Sequence, residues 1–276
     1  MHAVRRGPLA LRFTLLACLL GVGGPDASAQ AVRAALPEVE PARTMALVAD
    51  SLYRRGEHAE SYRRLEAYLE RFPGEYLAWV LSARDALVLG YATPDREEAK
   101  AWLRRSIEHA GRAKALQPGG VDGLYLGLAA KGQLSLIEGP RTRAQLGAQV
   151  AREARALLAL DSTYASAHNA LGRVYMEVAS LSWMERLGAR VLMGGDVVGQ
   201  ATWENAERHL RRAVELQPMR NYHVLDLGVL LVHRKRFEEA RRVLEQALAT
   251  PLEVPAQEGY RQDARRWLEK MREGGG

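Results

Sequence analysis

Small and large apolar residues recur at helical spacing along this chain, and in two places they recur together. Ala206, Leu210 and Ala213 stand thirty-four residues before Ala240, Leu244 and Ala247, with mostly charged or polar positions between them. Steps of four and three put each trio on one face of a helix. The alanines let two helices approach closely, and the leucine fills the seam between them. A second apolar pattern precedes each trio: His168-x2-Leu171-Gly172-x2-Tyr175 and Val224-x2-Leu227-Gly228-x2-Leu231. A mid-helix glycine costs about 1 kcal/mol against alanine, and a helix keeps one where a neighbouring backbone packs too close for a side chain. Pro218 and Pro251 follow the trios, where proline ends a helix without losing a needed donor.

A pair of helices repeating at this interval has the length of a tetratricopeptide (TPR) unit, which cannot bury its apolar face alone and must stack. Weaker copies lie upstream. Met45, Ala49 and Leu52 lead to Gly56, Ser61, Leu65, Tyr68 and Pro73; Trp79, Ala83, Leu87 and Gly90 lead to Ala99, Leu103, Ala110, Ala113 and Pro118. A further pair runs over Gly123 to Gly132 and Ala144 to Leu160. The expected fold class is all-α, a TPR-like α-solenoid of about five antiparallel helix pairs over residues 43–273. Tyr260, Ala264, Leu268 and Met271 form one stripe between Gln257 and Arg272, which predicts a capping helix over the last repeat. Breaks are expected at Pro73-Gly74, Pro118-Gly119-Gly120, Gly139-Pro140, Gly194-Gly195 and Pro251 to Pro255, with Asp161-Ser162-Thr163 standing where proline ends other units.

The repeat is interrupted once. Residues 176–202, Met176 to Thr202, are too long for a TPR turn and are predicted to form a helical insertion. Trp183, Leu187, Val191 and Leu192 are expected to bury against the neighbouring unit. The alternative is an apolar ligand groove or an oligomer contact.

Composition adds a large enough core, at 47% apolar residues, and a helix-favouring usage of Ala, Leu, Arg and Glu. The formal net charge is +6. Arg5, Arg6 and Arg12 against Asp26 place +2 of it in residues 1–29, leaving +4 spread along the rest. A nucleic-acid footprint needs clustered Lys and Arg with aromatics among them, so no nucleic-acid partner is expected. The same N-terminal arginines precede an apolar stretch, Leu11 to Gly24, and an A-x-A site at Ala27-Ser28-Ala29. Residues 1–29 are therefore expected to be a signal peptide and residues 30–42 a flexible lead, with the protein exported to a bacterial periplasm. Leu15-Leu16-Ala17-Cys18 resembles a lipoprotein box, but a lipid anchor at Cys18 is the disfavoured alternative given the cleavage site downstream. Cys18 is the single cysteine, so a cleaved chain holds no disulfide, thiolate nucleophile or cysteine metal site, and no mature segment is apolar enough to span a membrane. Residues 274–276 are expected to be a disordered tail.

Several of these segments carry a family resemblance. His168-x3-Gly172, Val178-Ala179-x-Leu181-x-Trp183-x2-Arg186, the Met193-Gly194-Gly195 turn and Trp203-x2-Ala206-x3-Leu210-x2-Ala213-x4-Pro218 together resemble the regulator of microtubule dynamics family, and Trp79-x3-Ala83-Arg84 is similar to its early helix. The resemblance implies a TPR-like scaffold without catalytic activity. Its microtubule association does not carry over to an exported chain. A more distant resemblance is to the TRAP-transporter-associated periplasmic TPR proteins, which implies an oligomer handling an apolar small molecule.

Enzyme chemistry finds no motif. There is no H-E-x-x-H, phosphate loop, G-x-G-x-x-G or G-x-S-x-G, and no two histidines stand at i,i+4. No cofactor and no metal are expected. The first helices of stacked TPR pairs line a concave side, so their non-core positions are the predicted partner-binding surface. These are Arg43, Asp50, Tyr53 and Arg54 in the first unit, Asn169, Arg173, Met176 and Glu177 in the fourth, and Tyr222, Val229 and His233 in the fifth. Tyr53, Arg54, Asn169, Arg173, Glu177 and Tyr222 are the sharpest candidates, with Asn169 and Arg173 one turn apart as a clamp for a peptide main chain or C-terminus. The expected function is an exported non-enzymatic scaffold for a protein or peptide ligand, with self-association open.

Overall fold

Each apolar trio forms the buried stripe of a helix. In the computed structural model, which describes residues 40–251 and 258–273, Ala206, Leu210, Ala213, Ala240, Leu244 and Ala247 are all buried. Thirteen helices are described, and no strand occurs among the described residues. They are α1 (Glu40–Arg54), α2 (His58–Arg71), α3 (Tyr76–Ala92), α4 (Arg96–Leu116), α5 (Val121–Ile137), α6 (Pro140–Leu160), α7 (Ala165–Ser180), α8 (Trp183–Met193), α9 (Gly195–Gln200), α10 (Trp203–Leu216), α11 (Asn221–His233), α12 (Phe237–Ala249) and α13 (Glu258–Glu273). The expected signal peptide of residues 1–29, the expected lead before Glu40 and the expected tail at 274–276 lie outside the described residues, as do residues 252–257. Helix α1 begins at Glu40, three residues inside the segment expected to be a loose lead.

Five helix pairs stack as the periodicity predicts: α1/α2, α3/α4, α5/α6, α7/α10 and α11/α12, with α13 against the last pair. The tightness of three pairs rests on one device. A Cβ placed on Gly90, Gly172 or Gly228 would meet Leu103, Leu210 or Leu244 at 2.7–2.8 Å. The glycine of each first helix thus makes room for the leucine of its partner, whose burial contributes about 1.5–3 kcal/mol. The chain reverses between α1 and α2 through Gly56, at φ +78°. Lys235 takes the same place before α12 at φ +59°, a left-handed conformation that glycine adopts more cheaply.

Local signals fix the helix ends. Asp95 caps α4 by accepting from the Glu98 amide at 2.8 Å, and Thr202 caps α10 by accepting from the Asn205 amide at 3.1 Å. Pro140 opens α6 at its first turn. The loop between α6 and α7 lacks proline, and Asp161 closes it by accepting from both the amide and the hydroxyl of Thr163.

The insertion is helical, as predicted, but its burial is reversed. Trp183, Leu187, Val191 and Leu192 are exposed. Helix α8 turns Ala189 and Met193 inward, and the Met193 methyl lies against Gly147 of α6. Arg186 decides this rotation. Its guanidinium points inward and donates to the carbonyls of Val178 (3.1 Å), Val198 (3.2 Å) and Ala201 (3.1 Å), tying α7, α9 and the start of α10 together. With Arg186 on the inner side, the long apolar side chains on the opposite side face outward.

Candidate functional site

The first helices carry polar residues inside otherwise apolar runs. Asp50 of α1, Arg84 and Asp85 of α3, Gln133 of α5, Asn169 and Arg173 of α7, and Tyr222 and Asp226 of α11 are all buried. They gather in two clusters.

The first cluster joins α1, α2 and α3. The Arg84 guanidinium lies 3.8 Å over the Tyr53 ring, 3.5 Å from Asp50 and 3.7 Å from Asp85. Ser61 donates to Asp85 at 2.5 Å, and Arg54 closes on Asp50 from the half-exposed side. Burial raises the Tyr53 phenol above its ordinary pKa, while Arg84 and Arg220 oppose that rise. Charges this deep survive only when paired, so the cluster acts as an internal brace between the first two repeats.

The second cluster joins α5, α7 and α11. Asn169 donates to Asp226 at 2.9 Å, and Arg173 donates to the other oxygen of the same carboxylate at 3.4 Å. Arg173 also stands 4.0 Å from Glu177, one turn further along α7. Burial raises the Glu177 carboxyl above its ordinary pKa, with Arg173 and Arg143 pulling it back. Beside these residues a small open cleft of about 30 Å³ lies among α5, α6 and α7, lined by Gln133, Ser135, Leu136, Gly147, Arg173 and Glu177 among others. The Gln133 amide nitrogen is buried and has no hydrogen-bond partner among the described residues. A donor on α5 and a carboxylate acceptor on α7 therefore line the same cleft from its two sides.

This geometry corrects the predicted groove. Asp50, Asn169, Arg173, Met176 and Tyr222 do not face solvent; adjacent first helices approach closely enough to enclose them. Tyr222 meets Ser166 of α7 at 2.8 Å, so it joins two repeats. The clamp of Asn169 and Arg173 is closed on Asp226 of the chain itself. Tyr53, Glu177 and Val229 are half-buried, while His233, Arg43 and Arg54 are exposed. Of the sharpest candidates, the structure brings Arg173 and Glu177 to the cleft and leaves Tyr53 and Arg54 in the N-terminal brace.

Sequence spacing missed Gln133 and Asp226. Asp226 sits inside a long apolar run, and a lone polar residue there is the signal that could have found it; Gln133, between Lys131 and Ser135, carries no such signal. It also missed a histidine pair. His168 of α7 and His209 of α10 stand Nδ1 to Nδ1 at 2.9 Å, and His168 Nε2 donates to the Ser162 carbonyl at 3.1 Å. A carbonyl only accepts, so His168 Nε2 carries the proton and His209 Nδ1 donates to His168 Nδ1. Burial, with His168 and Arg208 adding to it, pushes His209 down to about 4. Among the described residues no group of three or more His, Cys, Asp or Glu could hold a metal ion, and no helix is long and apolar enough to cross a membrane.

The sequence profile described as "Regulator of microtubule dynamics protein 1-3" matches residues 45–272, most of the chain and all five helix pairs. The chain belongs to this family. No curated protein matches it. Among solved structures it is similar to TTC0263, a thermophilic TPR protein of Thermus thermophilus, at 20% identity and a TM-score of 0.55, over 78% of this chain and 95% of that one. It is also similar to MamA, at 15% identity and a TM-score of 0.45 over 74% and 94% of the two chains. A human IFIT1 dimer with PPP-AAAA matches at 16% identity and a TM-score of 0.47, over 78% of this chain and 51% of that one. The likeness to TTC0263 shows the fold: this member of the family is an all-α TPR solenoid.

Proposed function

We propose that this chain is an exported, non-enzymatic scaffold that holds a peptide segment of a partner protein, and that the segment lies in the cleft between α5 and α7. The observation that carries the reading is the buried Gln133 amide, which has no partner among the described residues, lining the same open cleft as the Glu177 carboxylate. A buried donor left unpaired costs about 1–3 kcal/mol, a cost that a ligand carbonyl would relieve. A carboxylate across the cleft accepts from an N–H. One donor and one acceptor lining the same cleft suit the C=O and N–H groups of a peptide, and Leu136, Val150 and Val174 supply apolar walls for its side chains. The export part of the reading rests on Arg5, Arg6, the apolar stretch Leu11 to Gly24 and Ala27-Ser28-Ala29.

The test is photo-crosslinking from position 136 in the native host, with partners identified by mass spectrometry. Gln133→Met and Glu177→Gln keep the size of each side chain and remove the donor or the charge. Both are expected to reduce capture at least tenfold without lowering the melting temperature. Undiminished capture by both variants removes the cleft as the site. The mass of the purified protein tests export separately: a chain starting at Gln30 supports it, and a chain retaining residues 1–29 contradicts it.

A further inference from the structure

The outer face of α8 serves none of the roles above. Its helix is firmly held: Ser182 and Glu185 form a capping box at its start, Arg186 ties its inner side to three carbonyls, and Arg152 donates to the Met193 carbonyl at 2.6 Å at its end. Its exposure is therefore a feature of a fixed element. Trp183 is 76% exposed and Val191 84%, and Met184, Leu187 and Leu192 are exposed with them. On the helical wheel these five and Gly188 span the whole outward half with no charge among them, and Glu185 and Arg190 stand at its two edges. Side chains of this size at these exposures present roughly 600 Å² of apolar surface, the upper end of the largest patch a monomer carries.

We propose that this face pairs with the same face of a second copy of this chain. Two such patches in contact remove about 1,200 Å² from water, the lower bound for a stable specific interface. The shape is suited to self-pairing. Gly188 lies mid-face, and beyond its chain neighbours and the helix's own backbone nothing lies within 4 Å of where its Cβ would be, so it leaves a notch beside the ridge of Leu187. A second copy brings the same ridge and notch, which ridge-into-groove helix packing can engage across a two-fold axis. The uncharged face sets no like charges against each other, and Glu185 and Arg190 supply a polar rim.

Sedimentation velocity on the full-length protein tests this across a hundredfold range of concentration. The wild type is expected to move from monomer to dimer as concentration rises. Val191→Glu and Leu187→Glu place like charges in the centre of the pair and are expected to halve the mass at the top concentration. Neither side chain is buried in the monomer, so helical content and melting of the diluted protein serve as the folding control. A wild type that stays monomeric throughout overturns the proposal, including one that binds lipid vesicles through α8. A dimer that survives both substitutions overturns it as well.

Discussion

A Cβ on Gly172 would stand 2.7 Å from Cγ of Leu210 and 3.1 Å from the Ala206 carbonyl oxygen. The backbone oxygen cannot rotate away, so the pair α7/α10 has to open. Gly172→Ala is expected to lower stability by about 1–3 kcal/mol despite the better helix propensity of alanine. Gly111 of α4 is the internal control. Nothing lies within 4 Å of a Cβ there, and Gly111→Ala is expected to raise stability by about 0.5–1 kcal/mol. Urea denaturation followed by circular dichroism checks both signs.

The same residues show what the sequence made legible. Leucine before glycine in the first helix, with alanine and leucine recurring at thirty-four residues in the second, is a direct record of helix approach, so the pairing was readable. The insertion was readable as an interruption but not in its orientation. That depended on where one guanidinium, Arg186, found carbonyls 8, 12 and 15 residues away. The concave positions failed for a related reason. Helical periodicity says which face of α7 turns away from its own partner α10, but not how closely α11 packs on that face. Asn169 and Arg173 are enclosed because Asp226 of the next repeat reaches them, and no spacing within one repeat encodes that contact.

Asp226 is accordingly a structural residue. It receives hydrogen bonds from Asn169 and Arg173 in a buried site. Removing one member of a buried charge pair leaves the other uncompensated, which costs about 3–5 kcal/mol. Asp226→Ala is expected to lower stability by that amount, and Arg173→Ala by a similar one, whereas Glu177→Gln at the cleft mouth changes it little. Loss of partner capture in Arg173→Ala would therefore report unfolding, and the midpoint of a urea titration separates the two effects.

His223 gives the fold a pH dependence of known sign. It is fully buried. Burial, with Arg220 nearby adding to it, pushes its pKa down to about 3, against about 6.5 in an unfolded chain. The fold thus favours the neutral ring. Its contribution is complete above pH 6.5 and is lost as pH falls below that value, because the unfolded chain binds the proton first. The slope from this residue is about 1.4 kcal/mol per pH unit, or about 2 kcal/mol between pH 6.5 and 5. His209, pushed down to about 4, acts in the same direction over the same window. Glu177 and Asp122 act in the opposite direction, since burial raises their carboxyl pKa values and protonating them favours the fold. The decisive measurement is therefore the difference between wild type and His223→Leu, which keeps the site filled without a titrating group. Urea midpoints at pH 7, 6 and 5 are expected to fall more steeply for the wild type, and parallel curves would show that His223 takes up its proton alike in the folded and unfolded chain.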